Sequence, residues 1–450
     1  MKKYRLSKYN FFYQKGESVV GLNLYNKYLF SLDKDKYNIL CQHKSSLEVF
    51  QQNHPSFFGA MYKLGVIEDV NLNIPQILLM KNRREVFSED IYHLAINTTL
   101  NCNFSCWYCY ETRSKRKMTT EVRDAIIKFI EKRMSINKTK FFKIDWFGGE
   151  PLMAYKNVIK PISEELNVLC EKYGARYVAG ITTNGYLITP SLIADFTKYN
   201  IHTFQITLDG YKEHHNKTRF QVKGKDSYDI IVKNVIDLAK SIPNIDLYLR
   251  INFTKDILDD CLKIRDSFPM NIRKRIIINL VQVWQDQSAD KNRDETLKRY
   301  HEVNNIFRDS GFRILNLRHS YMQSCSCYAD KYNEAIVNYD GRIFKCSTQN
   351  FEEATEDGGI TPEGEIVWDE DRLSKRIARA TFDNEICLNC KYVPLCSGRC
   401  SQRMLEVNFK GPKNCPKKKI FNKKIKDDLK DFSSLNLKML HINQLYSRIL

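Results

Sequence analysis

The chain has 450 residues, 14 cysteines and a formal net charge of +18, from 71 Lys and Arg against 53 Asp and Glu. That length suits two or three domains with a large apolar core. No apolar run is long enough to span a bilayer, and residues 1–16 are basic without the apolar stretch of a signal peptide, so the expectation is a cytoplasmic protein that engages no membrane. In a reducing compartment, cysteines grouped at short spacings point to metal rather than to disulfides.

In chain order, residues 1–88 read as a small α+β module. Tyr- and Phe-rich alternation between 13 and 32 predicts strands, and helical patterns follow at 37–47 and 57–64. Residues 89–315 alternate short β-branched runs with helical patterns, which predicts parallel strands at 94–98, 143–147, 177–182, 203–207, 247–252 and 275–281. Six such units make a partial (βα)6 TIM-like barrel. Its first helix is signalled by Thr119 or Thr120 as cap and by Val122, Ala125, Ile126, Phe129 and Ile130 at helical spacing. In such a barrel, ligands gather at the carboxyl ends of the strands.

The chemistry-bearing residues fall at those ends. Cys102, Cys106 and Cys109 form a Cys-x3-Cys-x2-Cys run after the first strand, with Tyr108 beside the last cysteine. A closed site normally takes four protein ligands, so three thiolates suggest a metal with one open position; ordinary buried thiols or a zinc knuckle are the alternatives. Gly148, Gly149, Glu150 and Pro151 follow the second strand. Paired glycines allow close backbone approach and leave carbonyls free to accept. Asn184 follows the third strand, Thr207 and Asp209 the fourth, and Asn252 the fifth; Arg219 lies in His-His-Asn-Lys-Thr-Arg, and Arg250 is ambiguous.

This set resembles the radical S-adenosylmethionine (SAM) superfamily. The resemblance implies that the three cysteines hold a [4Fe-4S] cluster whose open iron is chelated by SAM, and that reduction cleaves SAM to a 5'-deoxyadenosyl radical. It further implies that Tyr108 packs near the adenine and that Gly148, Gly149, Glu150 and Pro151 bind the SAM amino group. By the same resemblance Arg219 would pair with the SAM carboxylate, Asn252 would face the ribose or carboxylate, and Asn184, Thr207 and Asp209 would complete the cofactor site.

Residues 316–420 carry a second array: Cys327, Cys346, then Cys387-x2-Cys390-x5-Cys396-x3-Cys400 and Cys415, with Asp340-Gly341 reading as a hairpin turn that presents Cys346. This spacing resembles the cysteine-rich SPASM domain, which implies two auxiliary [4Fe-4S] clusters and three clusters in all; two zinc knuckles are the competing reading. Cys387, Cys390, Cys396 and Cys415 would hold one cluster. Cys346, Cys400 and Cys327, with or without Cys325, would hold the other. Cys41, Cys170 and Cys261 remain as isolated thiols.

The family context implies a peptide maturase that abstracts hydrogen from a ribosomally made precursor and forms a thioether, ether or carbon-carbon cross-link. The alternatives are an anaerobic sulfatase-maturating enzyme, which makes formylglycine, or another SPASM-type dehydrogenase. Sulfatase-maturating relatives usually carry an aspartate base after the cysteine equivalent to Cys346; here Ser347 stands there, which disfavours formylglycine formation. The expected partners are a precursor peptide, whose leader adds a strand to the N-terminal module, and a flavodoxin- or ferredoxin-like electron donor. No nucleic-acid motif accompanies the basic charge, which concentrates at Lys417, Lys418, Lys419, Lys423, Lys424 and Lys426, leading into a basic tail or helix over 421–450.

Overall fold

The alternating segment near the N-terminus folds as an antiparallel meander in the computed structural model, which describes residues 3–136, 139–222, 224, 226–283, 285, 293–315, 327–377, 385–396, 398, 400–406, 421–422, 425–426, 429 and 439–441. Cys325 and Cys415 lie outside the described residues. Strand β1 is Tyr4–Leu6, β2 Asn10–Lys15, β3 Ser18–Asn23, β4 Tyr28–Asp33 and β5 Ile67–Asp69. Strands β2, β3 and β4 pair in order over six-residue registers, while β1 pairs with β5. The helix expected over 37–47 is instead two helices, Lys34–Gln42 and Leu47–Asn53. Between them the Ser46 N–H donates to the His43 carbonyl at 3.0 Å, and the Lys-Ser-Ser sequence favours this turn over a continued helix. A third helix spans Pro55–Lys63. A fourth, Ile74–Val86, was not foreseen, although its signal is present: Asn73 accepts from the Gln76 N–H, and Pro75 lies in the first turn.

The chain divides into two compact units: residues 1–87, 316–332 and 374–450 in one, residues 88–315 and 333–373 in the other. In the first, Phe30 and Leu32 of β4 pack against Leu40, Phe50, Phe57, Phe58 and Met61. Leu22 and Leu29 instead face Ile74, Tyr392, Val393 and Leu395. The segment carrying Cys387, Cys390 and Cys396 therefore packs on the N-terminal sheet, with Phe11 and Tyr392 rings 5.6 Å apart and the Lys391 ammonium 4.5 Å over Phe11.

The second unit is built on parallel strands β6 (Ile91–Asn97), β7 (Phe141–Phe147), β8 (Arg176–Thr183), β9 (Ile201–Leu208), β10 (Asp246–Phe253) and β11 (Ile276–Gln282). Each pairs in parallel with the next, as expected of the partial barrel. The first helix spans Thr120–Ser135, capped by Thr119, and buries Ala125, Ile126, Phe129 and Ile130. The sheet then extends at both edges: β12 (Arg313–Ile314) joins β11, and β13 (Glu334–Val337) joins β6 in parallel. Strands β14 (Arg342–Phe344), β15 (Gly358–Ile360) and β16 (Ile366–Trp368) continue antiparallel, completing eleven strands. The turn at Asp340-Gly341 is the predicted hairpin. A last strand, β17 (Met439–His441), pairs in parallel with β4 of the first unit.

Neighbouring strands bring three charges together. His93 of β6 places Nε2 2.5 Å from Asp145 Oδ2 on β7 and Nδ1 2.5 Å from Glu334 Oε2 on β13, whose side chain is 1% exposed. Burial works against the imidazolium, yet the two carboxylates prevail and raise its pKa to about 9. Replacing His93 with Ala leaves Glu334 buried without its cation and should cost about 3 kcal/mol at pH 6, measured by denaturant unfolding. The raised pKa fixes the sign: the contribution is full below the unfolded value of about 6.5 and fades as pH rises through about 9. The difference between parent and variant should therefore narrow across that window.

Candidate functional site

The carboxyl ends of β6 to β11 open onto a cavity of about 410 Å³ lined by Cys102, Cys106, Tyr108, Cys109, Gly148, Gly149, Asn184, Thr207, Arg219 and Asn252, among others. These ten are sequence-predicted site residues. Glu150, Pro151 and Asp209 do not line it; they lie behind the wall.

The cysteine loop is fixed from both sides. The Phe104 N–H donates to Cys102 Sγ at 3.4 Å, and the Arg113 guanidinium donates to the Phe104 carbonyl at 3.1 Å. The Ser105 N–H reaches the Phe220 carbonyl and the Val222 N–H the Asn103 carbonyl, tying the loop to the segment after Arg219. Gly149 N–H donates to the Thr99 carbonyl at 2.9 Å and Glu150 N–H to the Asn101 carbonyl at 2.8 Å. A Cβ on Gly148 would stand 2.3 Å from Thr99 O, and one on Gly149 2.4 Å from Asn101 O. The paired glycines thus serve a close approach to the cysteine loop itself.

Glu150 has a structural job. Its carboxylate, 0% exposed, accepts from Leu152 N–H at 3.1 Å, Thr183 Oγ1 at 2.7 Å and Asn184 N–H at 2.8 Å. Burial pushes its pKa up, and these three donors oppose that shift. Asn184 in turn donates to Asn103 Oδ1 at 2.7 Å.

The Tyr108 hydroxyl is the second hub. It donates to Asp209 Oδ1 at 2.9 Å and accepts from Arg219 Nη1 at 2.7 Å and Asn252 Nδ2 at 3.0 Å. Three residues predicted from three separate motifs therefore meet on one oxygen. Arg219 lies 5.7 Å over the Phe104 ring. Its backbone is held by His215 and Ser227, which the sequence reading did not single out. His215 Nδ1 accepts from Asp209 N–H at 3.2 Å, its Nε2 faces Ser227 Oγ at 3.0 Å, and Ser227 Oγ donates to the Arg219 carbonyl at 2.8 Å. Burial, followed by the Arg219 charge, holds His215 neutral.

The remaining wall joins Arg250 and Ser347 to residues outside any motif. Arg250 lines the cavity and donates through Nε to Asn252 Oδ1 at 2.8 Å, while Gln285 donates to the Tyr108 carbonyl at 2.6 Å. Ser347 lines it with Thr348 and Glu111. The Tyr110 hydroxyl donates to the Ser347 carbonyl at 3.1 Å, and Thr112 and Asn350 exchange hydrogen bonds of 3.2 and 2.9 Å. Glu111 is clamped between these two links, and burial raises its carboxyl to about 7, so it can hold or release a proton near neutrality. Its only sequence signal is its place two residues after Cys109.

The donor set fits an iron-sulfur cluster with SAM. Burial, and then the Glu150 charge, raises the Cys102 thiol to about 12; burial also raises Cys106 and Cys109. A bound metal reverses this by deprotonating its thiols. A multi-iron cluster takes one thiolate per iron, and all three thiols line the same cavity. Arg219 Nε is buried without a hydrogen-bond partner among the described residues, a donor left for a carboxylate. Among the other predicted ligands, Cys346 is buried in the second unit, and Cys327, Cys387, Cys390, Cys396 and Cys400 belong to the first.

A profile of the Radical SAM superfamily matches residues 96–263. The chain is 24% identical over 350 residues to the radical SAM cyclopropyl synthase TigE of Paramaledivibacter caminithermalis, covering 71% of this chain and 69% of TigE. It is 24% identical over 348 residues to the cysteine-type anaerobic sulfatase-maturating enzyme of Clostridium novyi, covering 69% of this chain and 87% of that enzyme. Native anSMEcpe, solved with bound AdoMet and the Cp18Cys peptide, shares the fold at a TM-score of 0.51 and 19% identity, over 69% of this chain and 89% of that one. Residues 96–263 of this chain belong to the radical SAM superfamily, and its relatives include a cyclopropyl synthase and an anaerobic sulfatase-maturating enzyme of that kind.

Proposed function

We propose that the chain is a radical SAM/SPASM maturase acting on a ribosomally made precursor peptide. The observation that carries this reading is the meeting of the three cysteine-loop thiols with Arg219, Asn252 and Tyr108 in one cavity at the strand ends. Cys102, Cys106 and Cys109 would hold a [4Fe-4S] cluster; with SAM, it supplies one-electron cleavage of SAM and hydrogen abstraction from the peptide. Arg219 offers a guanidinium fork to the SAM carboxylate. The Tyr108 hydroxyl keeps Arg219 and Asn252 in register, and Phe104 shields the guanidinium from water. Two auxiliary clusters and a flavodoxin- or ferredoxin-like electron donor complete the reading, the donor's acidic surface meeting a chain of charge +18.

A cross-linking reaction is favoured over formylglycine formation because the cavity presents Ser347 where sulfatase-maturating relatives usually have an aspartate base. The second reading, a sulfatase-maturating enzyme, is supported by one observation: Glu111 puts a carboxylate into the same wall beside Ser347. Mass spectrometry of any short peptide encoded beside the gene, after anaerobic turnover, separates them. Loss of two hydrogens is the expected result. Conversion of a sulfatase-derived Cys peptide to formylglycine, which also loses sulfur, with no cross-linked precursor, overturns the favoured reading.

Two further outcomes follow from the cavity. Reconstituted protein should carry about twelve irons, and Ala at Cys102, Cys106 and Cys109 together should remove about four of them and abolish 5'-deoxyadenosine production. Tyr108→Phe deletes the oxygen on which Asp209, Arg219 and Asn252 converge. Leaving those polar groups unpaired costs about 1–3 kcal/mol, so SAM affinity measured by anaerobic equilibrium dialysis should fall about tenfold or more.

A further inference from the structure

Arg113, Arg219 and Arg250 all line the cavity, and they differ in what answers their charge. Arg113 is exposed and donates to the Phe104 carbonyl at 3.1 Å. Arg219 is buried but has the Asp209 carboxylate near it and donates to the Tyr108 hydroxyl, with Nε left over for SAM. Arg250 is less well served. Among the described residues its one hydrogen bond runs from Nε to the neutral Asn252 Oδ1 at 2.8 Å, so the two Nη groups at the end of its guanidinium have no protein partner. Burial, above all, holds its pKa below the ordinary arginine value, and the Arg219 charge works in the same direction. A guanidinium keeps its proton even so, and the remaining way to stabilise it in a half-buried wall is a bound anion.

Arg250 lies two residues before Asn252 on β10, which puts both side chains on one face of the strand, with Arg250 one step deeper from the strand end. In register it stands opposite Thr207 of β9 and Asn279 of β11. Neither can neutralise it. Asn252 instead spaces two cations, since its Oδ1 accepts from Arg250 while its Nδ2 donates to the Tyr108 hydroxyl that also accepts from Arg219. One amide thus fixes two guanidinium groups, each with N–H groups to spare. Gln282, at the end of β11, adds another donor: it lines the same cavity, and its Nε2 is buried without a hydrogen-bond partner. Glu111 is the one acid among the lining residues, and among the described residues no ion pair joins it to Arg250.

We propose that Arg250, with Gln282, forms a specificity-determining subsite for a carboxylate of the substrate, separate from the SAM carboxylate position at Arg219. This deepens the maturase reading and rests on it for the kind of molecule: on a peptide, the carboxylate is an Asp or Glu side chain beside the modified residue, or the C-terminus. The planar fork takes a carboxylate through two parallel hydrogen bonds. A neutral amide in the same place would leave the cation uncompensated, which is how the subsite rejects it.

Anaerobic calorimetry on the cluster-loaded, unreduced enzyme tests this, with SAM saturating so that Arg219 is occupied. The probes are N-acetylaspartic acid α-amide, its neutral isostere N-acetylasparagine α-amide, and N-acetylalanine, whose carboxylate is terminal. The parent should bind one of the two acids about tenfold or more tightly than the neutral amide, and the preferred acid tells a side chain from a chain end. Arg250→Met should abolish that preference, and Arg250→Lys, which keeps the charge without the fork, should retain part of it. Gln282→Leu should weaken acid binding about threefold or more while SAM affinity is unchanged. Equal binding of acids and amide by the parent, or no binding of either acid, overturns the proposal. A preference that survives Arg250→Met overturns it too, and a fall in SAM affinity in that variant would then assign Arg250 to SAM. Probe binding needs neither reduction nor a precursor, so loss of the preference here leaves the maturase reading standing. An acid preference in an enzyme that modifies no peptide keeps the subsite and overturns the maturase reading alone.

Discussion

One buried carboxylate sets the spacing of the site. Glu150 leaves β7 and binds the ends of β8 through Thr183 and Asn184, while its own N–H and that of Gly149 bind the backbone just before Cys102. Three strand ends are thereby tied together at one residue. Without it, the Asn184 N–H and the Thr183 hydroxyl would be buried unpaired at about 1–3 kcal/mol each, and the cysteine loop would lose its floor. The glycines before Glu150 belong to the same constraint, since any Cβ there would enter the Thr99 and Asn101 carbonyls. A Gly-Gly-Glu sequence is thus first a clamp on the loop, and any contact with a ligand is made by a backbone the clamp has already shaped.

Local signals carried far in the sequence, and long-range contacts did not. The six parallel strands, the Thr119-capped helix, the Asp340-Gly341 hairpin and the cysteine run were legible because β-branched runs, caps and ligand spacing act within a few residues. Ten predicted site residues line one cavity because their motifs all sit at strand ends, which a parallel sheet brings to one side. Glu150 and Asp209 were read as ligands but stand behind the wall, since the motif gives position along the strand and not the direction of the side chain. The helix Ile74–Val86 carried an Asn cap and a proline that could have been read.

The placement of 387–396 on the N-terminal sheet, and of β13 beside β6 on the barrel sheet, had no local signal at all. These pairings join segments hundreds of residues apart, and only the apolar faces of both partners together define them. His93 is a similar case: nothing near it in sequence announces that Asp145 and Glu334 will flank both ring nitrogens. Its two carboxylate neighbours arise from the parallel pairing of β6 with β7 on one side and β13 on the other.

The cavity has one wall held by strand ends and another made of loops. The thiols, Arg219, Tyr108 and Asn252 are held by strand ends and by each other, so they tolerate little change. The opposite wall, with Glu111, Ser347 and Thr348, consists of two loop segments joined by the Tyr110 to Ser347 and Thr112 to Asn350 hydrogen bonds. Loops of this kind can exchange a carboxylate for a hydroxyl without disturbing a strand. Glu111 and Ser347 therefore furnish one wall with an acid and a hydroxyl, because the two segments are fastened side by side. That wall can thus vary while the strand ends stay fixed.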